Sequence, residues 1–213
     1  MPIFSSQKVR EKINRKLRFC VIGLGKFGYH VAVTLFDSGH EVTAIDQDAE
    51  KVNRIKDNVT NAVIGDASSK DFLMVQSVET MDAVIVSVGE QSHLATLITL
   101  FLREVPVPRI VVKTTNINHG RILERIGATD IIFPEKDIAV KVAQALSHPE
   151  FVEFLPLPED YILTETAPPK NFHGKSLIEL DLRKRFQITV IGLKNTITGE
   201  FTPVPQPSRI IQE

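Results

Sequence analysis

Cysteine and long apolar runs are both scarce in this chain of 213 residues, and each scarcity excludes a class of structure. The single cysteine, Cys20, excludes a disulfide within the chain and suits a reducing compartment. Because Cys20 lies in an apolar run, we expect it to be buried as a small hydrophobic side chain and not to act as a nucleophile. No apolar segment approaches the roughly 20 residues that a membrane-spanning helix needs.

Charge is also nearly balanced, with a net charge of -1, so nothing favours nucleic acid as the main partner. The exception is the N-terminal stretch of residues 1–18, which carries six basic residues against Glu11. We interpret residues 1–17 as a basic arm that is either solvated or in contact with a partner or an anionic membrane surface.

Short β-rich apolar runs alternate with amphipathic segments between residues 18 and 148. Strands that alternate with helices imply right-handed βαβ units and a parallel sheet covered on both faces. We therefore expect an α/β, Rossmann-like, doubly wound sheet of six parallel strands over residues 18–148. The predicted strands are Phe19–Ile22, Glu41–Ile45, Asn61–Ile64, Ala83–Val88, Arg109–Lys113 and Asp130–Phe133. The predicted helices are Phe27–Asp37, Ala49–Asp57, Lys70–Ser77, His93–Glu104, Gly120–Ile126 and Ile138–Leu146.

The character of the chain changes after residue 148, where prolines become frequent. We predict a linker over residues 149–160 and a small α+β C-terminal lobe over residues 161–213. The lobe is predicted to contain a helix at Leu177–Phe186 and strands at Ile188–Lys194 and Phe201–Val204. A lobe of this size is marginal by itself, so we expect the chain to form oligomers.

The stretch VIGLGKFG, which contains Gly23, Gly25 and Gly28, follows the first predicted strand and opens the first helix. In such a motif the first glycine permits a tight turn, the second lets the main chain approach a phosphate, and the third permits close packing of helix on strand. The helix N-terminus supplies free N–H groups for an anion. Asp46 ends the next strand, where a carboxylate accepts hydrogen bonds from ribose hydroxyls and repels a 2′-phosphate. These residues predict a site for an adenine nucleotide.

Other strand ends reach the same edge of the parallel sheet, where ligands bind. Asp66 and Ser68 have an alternative role as caps of the following helix. The candidate binding residues are Gly23, Leu24, Gly25, Lys26, Phe27, Gly28, Asp46, Gln47, Gly65, Asp66, Ala67, Ser87, Val88, Gly89 and Lys113.

Lys26 is the discriminating residue of the motif, because an ammonium at a helix N-terminus can extend over phosphates as a point charge. An added cation is most useful for a third phosphate; the alternative is a lysine that faces solvent. Glu135, after the last predicted strand of the sheet, is expected either to hold a divalent cation near the phosphates or to cap the next helix.

An NAD-dependent oxidoreductase is the alternative function, since it would use the same glycine motif. This chain, however, lacks a second lobe large enough to enclose a substrate. Its six histidines are scattered along the sequence, and none has a recognisable carboxylate partner. His93 is the best single candidate for an acid or base, but the helix start is the interpretation that we favour for it. We therefore expect the chain not to be an enzyme.

The segments VIGLGKFG, TAID, VIGDAS, AVIVSVG and IIFPEKDIAVKVAQAL resemble the RCK (regulator of K+ conductance) domain of KtrA/TrkA-type proteins. The second lobe is similar to the C-terminal domain of that family, so the likeness spans residues 18–207. The resemblance implies a cytoplasmic gating subunit of a membrane potassium transporter or channel, at the inner face of the membrane. It also implies dimers that assemble into a ring, often an octamer.

The resemblance further implies ligands. Family members bind ATP, ADP or NAD(H) at the glycine motif, and Lys26 would reach the terminal phosphate in place of the arginine usual in the Ktr type. Glu135 matches a glutamate that helps to place a divalent cation, Mg2+ or Ca2+, between subunits. Some relatives bind cyclic di-AMP at the segment that corresponds to residues 180–190.

The chain departs from the family pattern in the second lobe. Gln187 and Thr189 stand where relatives often have Gly and Asn, which weakens the cyclic di-AMP assignment. The family pattern continues beyond SRIIQE into a final apolar strand, so the C-terminal lobe is expected to be short or incomplete.

Overall fold

The computed structural model describes residues 15–89, 92–147, 151–156 and 162–212. The chain divides into two compact units, Met1–Val140 and Lys141–Glu213. Most of the predicted basic arm and parts of the predicted linker lie outside the described residues. Within the described ranges, no helix combines the length and the apolar character that crossing a bilayer requires.

The first unit is built on a six-stranded parallel sheet with the order β3-β2-β1-β4-β5-β6. The chain moves outward from β1 to β3, returns to the centre, and then moves outward on the other side. The reversal between β1 and β4 leaves a crevice at their carboxyl ends. This confirms the predicted doubly wound fold. The strands are β1 (Arg18–Ile22), β2 (Glu41–Asp46), β3 (Asn61–Ile64), β4 (Ala83–Val86), β5 (Ile110–Lys113) and β6 (Asp130–Ile132).

The helices of this unit follow the predicted ones, with two starts that differ by more than one residue. They are α1 (Lys26–Asp37), α2 (Ala49–Ile55), α3 (Lys70–Val75), α4 (Ser92–Arg103), α5 (Ile117–Ile126) and α6 (Pro134–Ser147). Helix α5 begins three residues before the predicted Gly120, because the Asn116 side chain accepts hydrogen bonds from the N–H groups of Asn118 and His119 at 2.9 and 3.1 Å. Helix α6 begins four residues before the predicted Ile138, with proline in its first position.

The core lies on both faces of the sheet, because successive side chains of a strand point to opposite faces. In β1, Cys20 and Ile22 belong to one buried cluster and Val21 to the other. Cys20 is fully buried, as predicted, and this burial raises the pKa of its thiol from 9.0 to about 12. The thiolate is therefore absent at neutral pH, and Cys20 acts as a core side chain.

The Cys20 thiol is expected to resist an aromatic disulfide reagent at pH 8 in the native protein, since it is both buried and protonated. In guanidinium the same sample should release one equivalent of coloured thiolate. Labelling of the native protein as fast as that of the unfolded protein would contradict this burial.

The second unit contains two small antiparallel sheets and two short helices. Strand β7 (Phe151–Pro156) pairs with β8 (Ile162–Thr166), and β9 (Gly192–Lys194) pairs with β10 (Phe201–Pro203). The helices are α7 (Leu177–Leu180) and α8 (Leu182–Phe186), and Leu180, Leu182 and Ile211 form their buried core. Strand β7 falls in the segment predicted as a linker, and the division between units falls inside α6. The domain boundaries stay predictions.

Two elements of the second unit are shorter than the sequence predicts. Asp181, with φ 43°, interrupts the predicted helix Leu177–Phe186. Gln187, with φ 58°, ends α8, and the N–H of Ile188 turns back to the carbonyl oxygen of Leu182 at 3.3 Å. The predicted strand from Ile188 therefore begins only at Gly192.

Replacing Gln187 with glycine should stabilise the second unit by about 0.5–1 kcal/mol. A residue with a Cβ loses about 1–2 kcal/mol of stability in the left-handed backbone conformation, and glycine avoids this cost. Glycine also makes the unfolded chain more flexible, which reduces the gain in stability by about 0.5–1 kcal/mol. Calorimetric unfolding of the full chain, with amide exchange followed over residues 162–212, measures the change. Gln187→Ala is the matched control, since alanine keeps the Cβ; equal stabilisation by both substitutions would refute the backbone explanation.

Candidate functional site

The turn after β1 lies at the crevice between β1 and β4. Gly23 has φ +93°, and its N–H donates to the carbonyl oxygen of Ile45 at 2.8 Å. A Cβ on Gly23 would lie 2.3 Å from the carbonyl oxygen of Ser87, the residue after β4. Only glycine suits both the backbone angle and this approach. Gly23 and Ser87 are thus brought together as the two sides of the crevice.

The other two motif glycines have different surroundings. A Cβ on Gly28 would lie 1.9 Å from the carbonyl oxygen of Gly23, so Gly28 allows α1 to pack on the turn. A Cβ on Gly25 would meet nothing within 4 Å. Gly25 is the N-cap of α1, and no side chain caps the free N–H groups of the first turn. These N–H groups and the positive end of the helix dipole fit the phosphates of a nucleotide.

Asp46 stands at the end of β2 and is tied to the glycine turn. Its Oδ2 accepts a hydrogen bond from the N–H of Leu24 at 2.7 Å, and its Oδ1 accepts one from the N–H of Asp48 at 2.9 Å. The Lys51 ammonium lies 3.5 Å from Oδ1, and the Asp46 side chain is 12% exposed. Each carboxylate oxygen accepts more than one hydrogen bond, so ribose hydroxyls remain suitable donors. The ribose contact stays a prediction.

The candidates after β3 form a local turn. Asp66 Oδ1 accepts a hydrogen bond from the N–H of Ser68 at 2.8 Å. Hydrogen bonds from Ser68, and a weaker one from the Gln47 side chain, lower the pKa of Asp66. The cap of α3 is Ser69, whose hydroxyl accepts from the N–H of Phe72 at 3.3 Å. Asp66 therefore shapes the turn beside Gln47 and does not cap the helix.

The remaining candidates after β3 and β4 have backbone or packing roles. A Cβ on Gly65 would meet the Phe72 ring at 2.2 Å, which explains a glycine there. Ala67 is buried in the core. After Ser87, Val88 is half-buried and packs against the core, and Gly89 has φ +70°.

Of the three charged candidates Lys26, Lys113 and Glu135, only Lys113 and Glu135 contact each other. Lys26, the first residue of α1, is exposed, and it makes no hydrogen bond or ion pair with the residues that the structure describes. Lys113 Nζ lies 2.9 Å from Glu135 Oε1 and 5.9 Å from the centre of the Phe27 ring. The hydrogen bond from Lys113 lowers the pKa of Glu135. Lys113, Phe27 and Glu135 therefore form one group.

A divalent cation does not fit the described part of one chain. Across residues 15–89, 92–147, 151–156 and 162–212, no group of three or more His, Cys, Asp or Glu side chains could hold a metal ion. Glu135 supplies a single carboxylate, which is already paired with Lys113. A metal there would need ligands from outside the described residues.

Sequence reasoning missed a histidine at the carboxyl end of β5. Both ring nitrogens of His119 contact threonine hydroxyls, with Nε2 3.0 Å from Thr96 Oγ1 and Nδ1 3.2 Å from Thr114 Oγ1. The ring thus joins α4, α5 and the segment after Lys113. No pattern in the sequence signals this contact, because the three residues lie on separate elements. His93, the histidine that the sequence favours, is exposed in the first turn of α4.

Comparison of the sequence with known proteins gives a consistent result. The TrkA-N domain model matches residues 19–134. Ktr system potassium uptake protein A of Bacillus subtilis is 38% identical over 196 residues, which are 92% of this chain and 87% of that protein. Ktr system potassium uptake protein C of the same organism is 36% identical over 179 residues, which are 84% of this chain and 81% of that protein.

Solved structures agree on the fold. The RCK domain of GsuK matches with a TM-score of 0.62 over 98% of this chain and 48% of that chain. The GsuK channel bound to NAD matches with a TM-score of 0.62 over 93% of this chain and 36% of that chain. Sequence identity is 14% in both cases, so these likenesses establish the fold alone.

Alanine at Gly25 and alanine at Gly28 should separate binding from folding. Gly28→Ala forces a Cβ against the Gly23 carbonyl and should destabilise the protein by about 2 kcal/mol or more. Gly25→Ala meets no atom and should cost about 1 kcal/mol or less, as a poorer N-cap. It should nevertheless weaken nucleotide binding about tenfold or more, because its Cβ enters the space that the phosphates need.

Thermal unfolding without ligand and calorimetric titration with ADP measure the two effects. Unchanged ADP affinity in the Gly25→Ala variant would contradict the placement of phosphates at this turn.

Proposed function

The chain belongs to the TrkA-N domain family, and from that premise we propose that it is a nucleotide-sensing regulatory subunit of a potassium transporter or channel. Its homology to Ktr potassium uptake proteins supports the potassium system. The observation that carries the nucleotide role is the uncapped first turn of α1 beside Gly25, flanked by Asp46 at one end and Lys26 at the other.

The proposed ligand is an adenine nucleotide, either ATP and ADP or NAD(H). Backbone N–H groups of the α1 turn would hold a pyrophosphate, and Asp46 would accept the ribose hydroxyls. A carboxylate at that position disfavours a 2′-phosphate by charge repulsion. Lys26, free of partners among the described residues, would add positive charge where a third phosphate reaches.

The proposed role is to sense the nucleotide and not to consume it. A ligand shifts a conformational equilibrium only as far as its affinity differs between the two states. A tenfold difference is worth about 1.4 kcal/mol per site, and several sites in one assembly add to a usable shift. A phosphate that one nucleotide has and another lacks supplies such a difference at Lys26.

An NAD-dependent oxidoreductase is not favoured. The matched relatives are potassium uptake proteins. Among the described histidines, His119 contacts threonine hydroxyls and His40 accepts a hydrogen bond from a main-chain N–H, and none of these rings is paired with a carboxylate. An acid or base for hydride chemistry therefore has no oriented candidate there. We propose that the chain is not an enzyme.

We propose that the chain forms dimers within a ring, of eight subunits by analogy with the family, and docks on a membrane potassium transporter at the inner face of the membrane. Three apolar side chains along α6, Ile138, Val142 and Leu146, are 57%, 52% and 79% exposed and lie on one face of the helix. Such a face suits an interface between protein chains. Glu135 of two neighbouring subunits would together supply ligands for Mg2+ or Ca2+ that the described part of one chain lacks.

A cyclic di-AMP site over residues 180–190 is the least supported part of the proposal. Arg183, Lys184 and Arg185 are exposed there and suit an anionic ligand. Gln187 keeps the left-handed backbone for which relatives use glycine, but its side chain adds bulk beside the segment.

Replacing Lys26 with alanine should narrow the difference between ATP and ADP affinity, from about tenfold towards none, because the ammonium adds attraction only for the longer phosphate chain. Calorimetric titration with ATP, ADP, NAD+ and NADH, with and without Mg2+ or Ca2+, measures the difference. Lys26→Arg is the matched control, since it keeps the charge and should keep the preference. An unchanged ratio of ATP affinity to ADP affinity in the Lys26→Ala variant would contradict the proposed role of Lys26.

A further inference from the structure

Lys113 and Glu135 form an ion pair between the end of β5 and the first turn of α6. The two charged atoms lie 2.9 Å apart, yet the side chains differ in exposure, with Lys113 17% and Glu135 62% exposed. The ammonium is thus held inside the site by its surroundings, whereas the carboxylate reaches it from the solvent side. Removing this carboxylate would leave the cation largely desolvated and in need of another anion.

The Lys113 ammonium also lies beside a side chain from the first turn of α1, whose N–H groups fit phosphates. It lies 5.9 Å from the centre of the Phe27 ring, and Phe27 is the second residue of α1. Side chains of a helix lean towards its N-terminus, so the Phe27 ring and the ammonium beside it lie towards the first turn of α1. Lys113 therefore has one anionic partner in place and lies near the expected position of a second one.

The two lysines of the site differ in this respect. Lys26 is exposed and has no partner among the described residues, so a phosphate can bind it without breaking a contact. Lys113 carries one positive charge, which Glu135 already balances, so it cannot fully balance a phosphate as well. Binding of an anion near Lys113 must therefore weaken the existing pair.

We propose that the phosphates of a nucleoside diphosphate or triphosphate compete with Glu135 for Lys113, so that nucleotide binding releases the Glu135 carboxylate. This inference rests on the proposed nucleotide site and adds a mechanism by which nucleotide binding changes contacts elsewhere in the protein. Glu135 lies in the first turn of α6, and α6 is the helix that crosses the division between the two units at Val140 and Lys141. Release of Glu135 thus changes a contact of the helix that leads into the second unit.

Three variants test the competition by calorimetric titration with ADP in EDTA, where no divalent cation contributes. Glu135→Gln should bind ADP about two- to fivefold more tightly, because it removes the competing carboxylate of a partly exposed pair. Lys113→Met should bind ADP more weakly. The double variant should match Lys113→Met, since Glu135 acts only through the lysine.

Asp130→Asn is the matched control. It breaks the ion pair between Arg109, the residue before β5, and Asp130, the first residue of β6. This pair lies at the amino ends of the parallel strands, whereas the candidate site lies at their carboxyl ends. Its ADP affinity should equal that of the wild type, even if its stability falls. A purely structural effect of breaking an ion pair would move both variants alike.

Amide exchange gives a second measurement on the wild-type chain. Addition of ADP should speed exchange in the N-terminal half of α6, and Glu135→Gln should show the faster exchange without ADP. Equal or weaker ADP binding by Glu135→Gln would overturn the competition while leaving the nucleotide site intact. Failure of the wild type to bind ADP or ATP at all would instead refute the proposed function.

Discussion

The candidate site depends on one close approach between main-chain segments at the centre of the sheet. The turn at Gly23 packs so closely on the carbonyl group of Ser87 that no Cβ fits between them, and Gly28 packs equally closely on the carbonyl group of Gly23. This contact places the N–H of Leu24 on Asp46 and holds the first turn of α1 beside the glycine turn at the crevice. The anion-binding groups are therefore positioned by backbone, and they need no movement of side chains to be ready.

The sequence predicts those parts of the fold whose signals are local. The continuous apolar run of β1 predicts a strand buried on both faces, and the spacing of Gly23 and Asp46 predicts the crevice and its acidic rim. The start of α6 was missed although a local rule existed, because the apolar pattern begins at Ile138 while proline and acidic residues open the helix earlier. The strand at Ile188 was predicted too long, because an apolar run looks extended whether or not the chain turns at Gln187.

Contacts between distant residues could not be predicted in the same way. Lys113 and Glu135 were both candidate site residues, but one was assigned to the nucleotide and the other to a metal. They are 22 positions apart in sequence, and only the parallel pairing of β5 and β6 brings their side chains together. The contacts of His119 arise likewise from packing between α4 and α5. A sequence pattern predicts on which face of a helix or strand a residue lies. The residue that its side chain contacts depends on how separate helices and strands pack together.

The distribution of charge favours a ligand that is recognised by its phosphates. At the ribose end, the Asp46 carboxylate is held by main-chain N–H groups and balanced by Lys51, so its position does not depend on the ligand. At the phosphate end, Lys26 has no partner among the described residues and Lys113 has one that is mostly exposed. In the proposed function, the Asp46 end would accept any nucleotide with free ribose hydroxyls, whereas the electrostatic contacts at the Lys26 and Lys113 end would change with the number of phosphates. As proposed, such an arrangement would convert the number of phosphates into a difference of local contacts at α1 and α6, which is what a regulatory site requires.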